Sequence, residues 1–132
     1  MVGIVIVSHS HLLACGLKQL AMELSKDSVP IMTAGGLDET TTGTNAEKIH
    51  QAIQNVYSDE GVLILFDLGS ALFSTQMAIE MFPPEQQKRI KLSEAPIVEG
   101  TLIAAVEASL GRSLEEVSAA AENTRQMKKI FP

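Results

Sequence analysis

Val2-Gly3-Ile4-Val5-Ile6-Val7-Ser8-His9-Ser10-His11 is the stretch that decides the fold. Its first six residues are apolar and mostly β-branched, with no polar alternation, so the strand they predict is covered on both faces. Such strands belong to parallel sheets clothed by helices, and a helical pattern begins at once, at Leu12. Val62-Leu63-Ile64-Leu65-Phe66, opened by Gly61, is a run of the same kind and predicts a second central strand beside the first. Ligands bind these sheets at the carboxyl ends of the strands. His9 therefore falls on the working edge, and Asp67 falls on it too.

Working outward, Leu13, Leu17, Leu20 and Leu24 recur at helical spacing and predict a first helix buried on that side, with Gly16 admitting close contact with the sheet. Val29 to Ala34 reads as a strand closed by Gly35-Gly36, followed by a polar loop from Leu37 to Gly43. Thr44 and Glu47 have capping-box spacing ahead of an apolar stripe through Ile49, Ala52, Ile53, Val56 and Tyr57. After Asp67-Leu68-Gly69-Ser70, a helix through Phe73, Met77 and Met81 runs until Pro83-Pro84. That stripe is read most simply as core, with a subunit contact as the alternative. Ile90-Lys91-Leu92 suits a strand nearer the sheet edge. Val98, Leu102, Ile103 and Val106 mark a helix ended by Gly111, and Ser113 with Glu116 caps a last one reaching about Lys128. The order βαβαβαβαα predicts an α/β, flavodoxin-like sandwich: a mostly parallel four-stranded sheet with helices on both faces, one domain over residues 1–132.

Composition narrows the function. The chain has 132 residues, 45% hydrophobic and 20% charged, with net charge −6. Its Lys and Arg residues are scattered, grouping only at Lys88, Arg89 and Lys91, which argues against nucleic acid as a partner. No apolar stretch is long enough to insert in a membrane and the N-terminus has no signal-peptide pattern, so a cytoplasmic location is expected. The single cysteine, Cys15, excludes an internal disulfide and is read as a packing residue.

The ends of the first and third strands commonly adjoin in such a sheet, which brings His9 to Asp67. A carboxylate holding the proton of one imidazole nitrogen leaves the other free to attack and stabilises the imidazolium that forms. The amides of Gly69, Ser70 and Ala71 open a helix and suit anionic oxygens. Ser8, Ser10 and Ser70 add hydroxyls, and Gly35-Gly36 brings further backbone to the rim. Together they predict a phosphoryl site. No Lys or Arg occurs in these loops, which disfavours a nucleotide triphosphate; no cofactor is expected. Plainer readings stand beside this one: Asp67 as a helix cap and Gly35-Gly36 as a simple turn. His9 and His11 resemble a metal pair but lack a third ligand at supporting spacing, so no metal is expected. His11 and His50 read as partly exposed helix residues.

Four segments, Gly3 to Leu17, Ala34 to Gly36 with Gly43-Thr44, Phe66 to Ala71, and Ala95 to Ser109, jointly resemble the DhaM-type phosphotransferase subunits of phosphoenolpyruvate-dependent dihydroxyacetone kinase. These are related to mannose-class enzyme IIA domains of the bacterial phosphotransferase system. The resemblance implies that His9 is phosphorylated, at Nε2, by the histidine-bearing carrier protein HPr. It also implies that the group passes to ADP held on a partner kinase subunit, whose ATP then phosphorylates dihydroxyacetone, and that the chain is a homodimer. Some relatives continue into further carrier-protein and enzyme I-like domains; ending at Pro132, this chain is expected to rely on separate proteins for those activities. The alternative recipient is a mannose-class sugar transporter. A non-enzymatic module sensing a phosphorylated partner remains a reading of another class, and a histidine phosphatase is disfavoured by the lack of cations to hold the leaving phosphate. Glu99 is assigned no catalytic role, since Glu in a first helical turn complements the helix dipole.

Overall fold

The computed structural model describes residues 1–130; Phe131 and Pro132, the end of the expected domain, lie outside the described residues. Four strands form one sheet: β1 (Gly3–Ser8), β2 (Ile31–Gly35), β3 (Val62–Phe66) and β4 (Ile90–Ser93). Their order is β2-β1-β3-β4 and every pairing is parallel. Six helices surround it: α1 (His11–Leu24), α2 (Ala46–Val56), α3 (Ala71–Glu80), the short α4 (Pro84–Gln87), α5 (Ile97–Ser109) and α6 (Leu114–Asn123). Helix α4 is an addition to the expected order, and α6 gives way to a 3₁₀ turn, Thr124–Gln126, short of Lys128.

The alternation of side chains along β1 divides the core in two. Ile4 and Ile6 point into a layer shared with α1, α5 and α6, whereas Val5 and Val7 point into one shared with α2 and α3. All four are fully buried, each worth roughly 1.5–3 kcal/mol of apolar transfer. This is why the run shows no polar alternation.

Helices α1, α3 and α5 meet the core mainly through small residues, whereas α2 buries Ile49, Ile53 and Val56. On α1 the buried line is Ala14, Leu17 and Ala21, while Leu12, Leu13, Leu20 and Leu24 are exposed. On α3 the buried residues are Ala71, Thr75 and Ala78; Phe73, Met77 and Met81, expected as core, face out, with Phe73 73% exposed. Helix α5 does the same with Gly100, Thr101, Ala104, Ala105 and Ala108. Where the strands fill the layer with Val, Ile and Leu, short side chains let these three helices pack closely. Another expectation also shifts. Asn45, not Thr44, caps α2, accepting from Glu47 and Lys48 N–H, while the Ser113–Glu116 capping box forms as expected.

Gly16 does not approach the sheet: a Cβ there would meet nothing within 4 Å. At Gly100 a Cβ would lie 2.5 Å from the Cβ of Ala95. Gly16→Ala is therefore expected to raise unfolding stability by about 0.5–1 kcal/mol through helix propensity. Gly100→Ala should lower it, because overpacking at a rigid neighbour costs about 1–3 kcal/mol. Urea midpoints of the two variants moving in the same direction would contradict this packing.

Candidate functional site

The parallel register pairs Val7 with Phe66, so the residues that follow on β1 and β3 emerge side by side. Asp67 N–H donates to Val7 carbonyl oxygen at 3.2 Å, extending the ladder to the rim. There His9 Nδ1 lies 3.0 Å from Asp67 Oδ1. The same Oδ1 accepts Leu68 N–H at 2.7 Å; Oδ2 accepts His9 N–H and the Ser8 hydroxyl, both at 2.9 Å. The carboxylate fixes both the ring and the backbone of His9. The His9 side chain stays 25% exposed and that of Asp67 12%, so the ring is held yet reachable.

Burial alone would raise the Asp67 pKa. It is outweighed by the hydrogen bonds from His9 N–H, the His9 ring, Ser8 and Leu68, and the carboxyl sits below its ordinary value. Asp67 is thus an acceptor for four donors, and it does not cap α3 through its side chain.

With Nδ1 turned to Asp67, Nε2 faces outward, 2.8 Å from the Ser70 hydroxyl. This tautomer leaves Nε2 with a lone pair to which Ser70 donates. Ser70 thus meets the atom at which an imidazole would react. The amides divide differently from the sequence reading. Ala71 N–H is spent on Leu68 carbonyl oxygen (2.9 Å), and Gly36 N–H on that of Ser8 (3.1 Å). Neither is open to an anion. Gly69 and Ser70 N–H have no acceptor among the described residues.

The other predicted residues act as supports. Ser8 is buried; its one hydroxyl proton goes to Asp67 while its oxygen accepts Ser10 N–H at 3.0 Å. Ser10 Oγ caps α1 by accepting Leu13 N–H at 3.2 Å. Gly35 underlies the first turn of α1, where a Cβ would be 2.8 Å from the Ser10 carbonyl oxygen, and Gly36 needs its φ of +71°.

The sequence reading missed how the polar loop after β2 serves the site. Asp38 gathers the N–H groups of Thr40 and Thr41, and Gly43 N–H then donates to His9 carbonyl oxygen at 2.9 Å. Thr44 is hydrogen-bonded to Ser74 of α3 at 2.9 Å. The Asp38-x-Thr-Thr spacing was the available signal, since Asp side chains cap such turns. Of the remaining histidines, His11 lies 3.5 Å from the Cys15 sulfur and His50 packs on Phe82. Among the described residues no three His, Cys, Asp or Glu side chains converge as metal ligands, and no helix is long and apolar enough to cross a membrane.

Comparison with known proteins places this geometry. A family model described as EIIA-man, the PTS system fructose IIA component, matches residues 3–118. The phosphoryl donor subunit DhaM of PEP-dependent dihydroxyacetone kinase from Providencia stuartii is 40% identical over 132 residues, covering 98% of this chain and 28% of that protein. This chain thus spans little more than a quarter of that relative. The phosphoryl donor subunit DhaM of the PEP-dependent dihydroxyacetone kinase 2 of Listeria innocua is 35% identical over 117 residues, covering 89% of this chain and 94% of that one. The crystal structure of the unknown-function protein EF1359 superposes with a TM-score of 0.85 at 32% identity, covering 99% of this chain and 98% of the other.

Proposed function

The chain belongs to the EIIA-man family of phosphotransferase-system IIA components, among the DhaM phosphoryl donor subunits, and from that premise we propose that His9 carries the phosphoryl group. The observation that carries this reading is a single imidazole with Nδ1 on a carboxylate and Nε2 on an exposed rim beside two unspent amides. In the first step the Nε2 lone pair attacks the phosphorus of phospho-HPr. A new N–P bond forms, the donor's N–P bond breaks, and the donor imidazole leaves with the bonding pair. The Nδ1 proton stays on the Asp67 hydrogen bond, and the carboxylate offsets the positive charge that the ring acquires. Gly69 and Ser70 N–H, with the Ser70 hydroxyl released from Nε2, hold the phosphoryl oxygens. In the second step an oxygen of ADP on the partner kinase subunit attacks the phosphorus, the N–P bond breaks, and its electrons return to Nε2. The ATP so formed phosphorylates dihydroxyacetone.

The test is the fate of the label. Chain phosphorylated through phosphoenolpyruvate, enzyme I and HPr is expected to lose it to the ADP-loaded kinase subunit. Retention of the label there, with loss to a sugar-transporter component instead, would contradict the assignment of the acceptor.

Family resemblance also points to a homodimer, and we place its contact on the outward face of α3. Phe73 and Met77 of this helix and its C-cap Met81, spaced four residues apart, are exposed. Sedimentation equilibrium should show a dimer that Phe73→Glu weakens at least about tenfold, as loss of a buried aromatic anchor does. An unchanged dissociation constant would exclude this face.

A further inference from the structure

An acceptor that is itself a nucleotide brings several negative charges towards a chain of net charge −6, and the loops at the strand ends hold no cation. The fold supplies one from elsewhere. Beyond α6 the chain carries Arg125, Lys128 and Lys129, a basic group that the sequence reading passed over. The 3₁₀ turn Thr124–Gln126 brings Arg125 to the same rim as β3. The turn is anchored from within by Thr124, which is buried and donates to Ala121 carbonyl oxygen at 2.6 Å. It is latched from outside by Lys129, whose Nζ lies 2.7 Å from Glu99 Oε2.

Arg125 and Asp67 both line a pocket of about 390 Å³, together with Phe66, Pro96 and Ile97. Of the guanidinium, only Nε is engaged, donating to Glu122 carbonyl oxygen at 3.0 Å; among the described residues it makes no ion pair. The carboxylates nearby are accounted for. Asp67 spends its charge on four donors, Glu99 is paired with Lys129, and Glu94 is exposed to solvent.

We propose that Arg125 is a recognition residue for the anionic acceptor, engaging phosphate oxygens of the nucleoside diphosphate that a partner protein presents to phosphorylated His9. The proposal rests on the reading of His9 as the phosphoryl carrier. Because Asp67 is a wall of both sites, a partner that covers His9 covers the pocket as well. Nε2 faces Ser70, whereas the pocket is lined by Asp67, the partner of the other ring nitrogen, and by neither His9 nor Ser70. Arg125 therefore meets oxygens that are not transferred. A guanidinium suits them because its fork pairs with two phosphate oxygens at once. Glu99 becomes a positioning residue, acting through Lys129 on the turn that carries Arg125.

The experiment is single-turnover transfer from phosphorylated wild-type, Arg125→Glu, Arg125→Lys and Glu99→Gln chains to the ADP-loaded kinase subunit, across a range of salt. Wild-type transfer should slow with salt. Arg125→Glu should be slower by at least about tenfold and show a flatter salt dependence, as loss of a steering charge does. Arg125→Lys should recover most of the rate, and Glu99→Gln should lie between. Arg125→Glu transferring at the wild-type rate with the wild-type salt slope would overturn the proposal. So would equal slowing of Arg125→Lys and Arg125→Glu with a common loss of thermal stability, which marks a structural role. A wild-type chain that never takes label would instead remove the reading of His9, and this proposal with it.

Discussion

A His9→Ala chain incubated with phosphoenolpyruvate, enzyme I and HPr is expected to take up no acid-labile label, while His11→Ala labels to completion. The three histidines differ in what holds them. His9 has a carboxylate on one nitrogen and an exposed second nitrogen. His11 has only the Cys15 sulfur at 3.5 Å, and His50 rests on the Phe82 ring at a centroid distance of 4.5 Å. Neither alternative has an orienting acid, so neither ring is fixed in the tautomer that attack requires. A His9→Ala chain that takes the label would exclude His9.

Asp67→Asn is expected to slow phosphoryl acceptance by about 10²–10⁴-fold, the scale at which an orienting aspartate matters in other histidine–carboxylate pairs. The four donors explain why so small a change matters. Oδ1 serves His9 Nδ1 and Leu68 N–H; Oδ2 serves Ser8 Oγ and His9 N–H. An amide NH₂ in the first position faces Leu68 N–H and forces the ring to carry its proton on Nε2. In the second position it leaves the His9 amide without an acceptor. Either way a donor is stranded, at a cost of about 1–3 kcal/mol to the fold, and the negative charge that offsets the phosphoimidazole is gone. The stability difference from wild type carries a pH signature. Because the folded carboxyl lies below its ordinary value, its contribution is complete above the unfolded-state pKa of about 3.9 and is lost as pH falls through the folded value. Thermal melts of the two chains should therefore differ at neutral pH and converge in strong acid. A gap that widened on acidification would reverse the assigned sign.

The central strands and the His9–Asp67 pairing were legible because each rests on a strong local pattern. Unbroken apolar runs admit only a doubly covered strand, and a parallel β1–β3 register then puts the next residues of both strands at one edge. The helix faces were legible only to within one residue. Leu13 and Leu20 share helical periodicity with Ala14 and Ala21, one position round, and the choice between the two stripes depends on how much space the sheet leaves. In α3 the same rotation turned an expected core stripe into an outward apolar face. The roles of individual amides depended on distances that no spacing encodes, which is why Gly36 and Ala71 prove to be occupied while Gly69 and Ser70 are not. Arg125 was out of reach for a related reason. It lies far from Asp67 along the chain, and only the packing of α6 on the sheet brings the two to one pocket.

The most direct measurement is to phosphorylate the chain uniformly labelled with ¹⁵N and to locate the phosphorus by its coupling to nitrogen in the NMR spectrum. The account predicts one phosphoryl group per chain, on Nε2 of His9, with the Nδ1 proton retained in its hydrogen bond to Asp67. Phosphorus on Nδ1 of His9, on His11, or on a serine oxygen would contradict it.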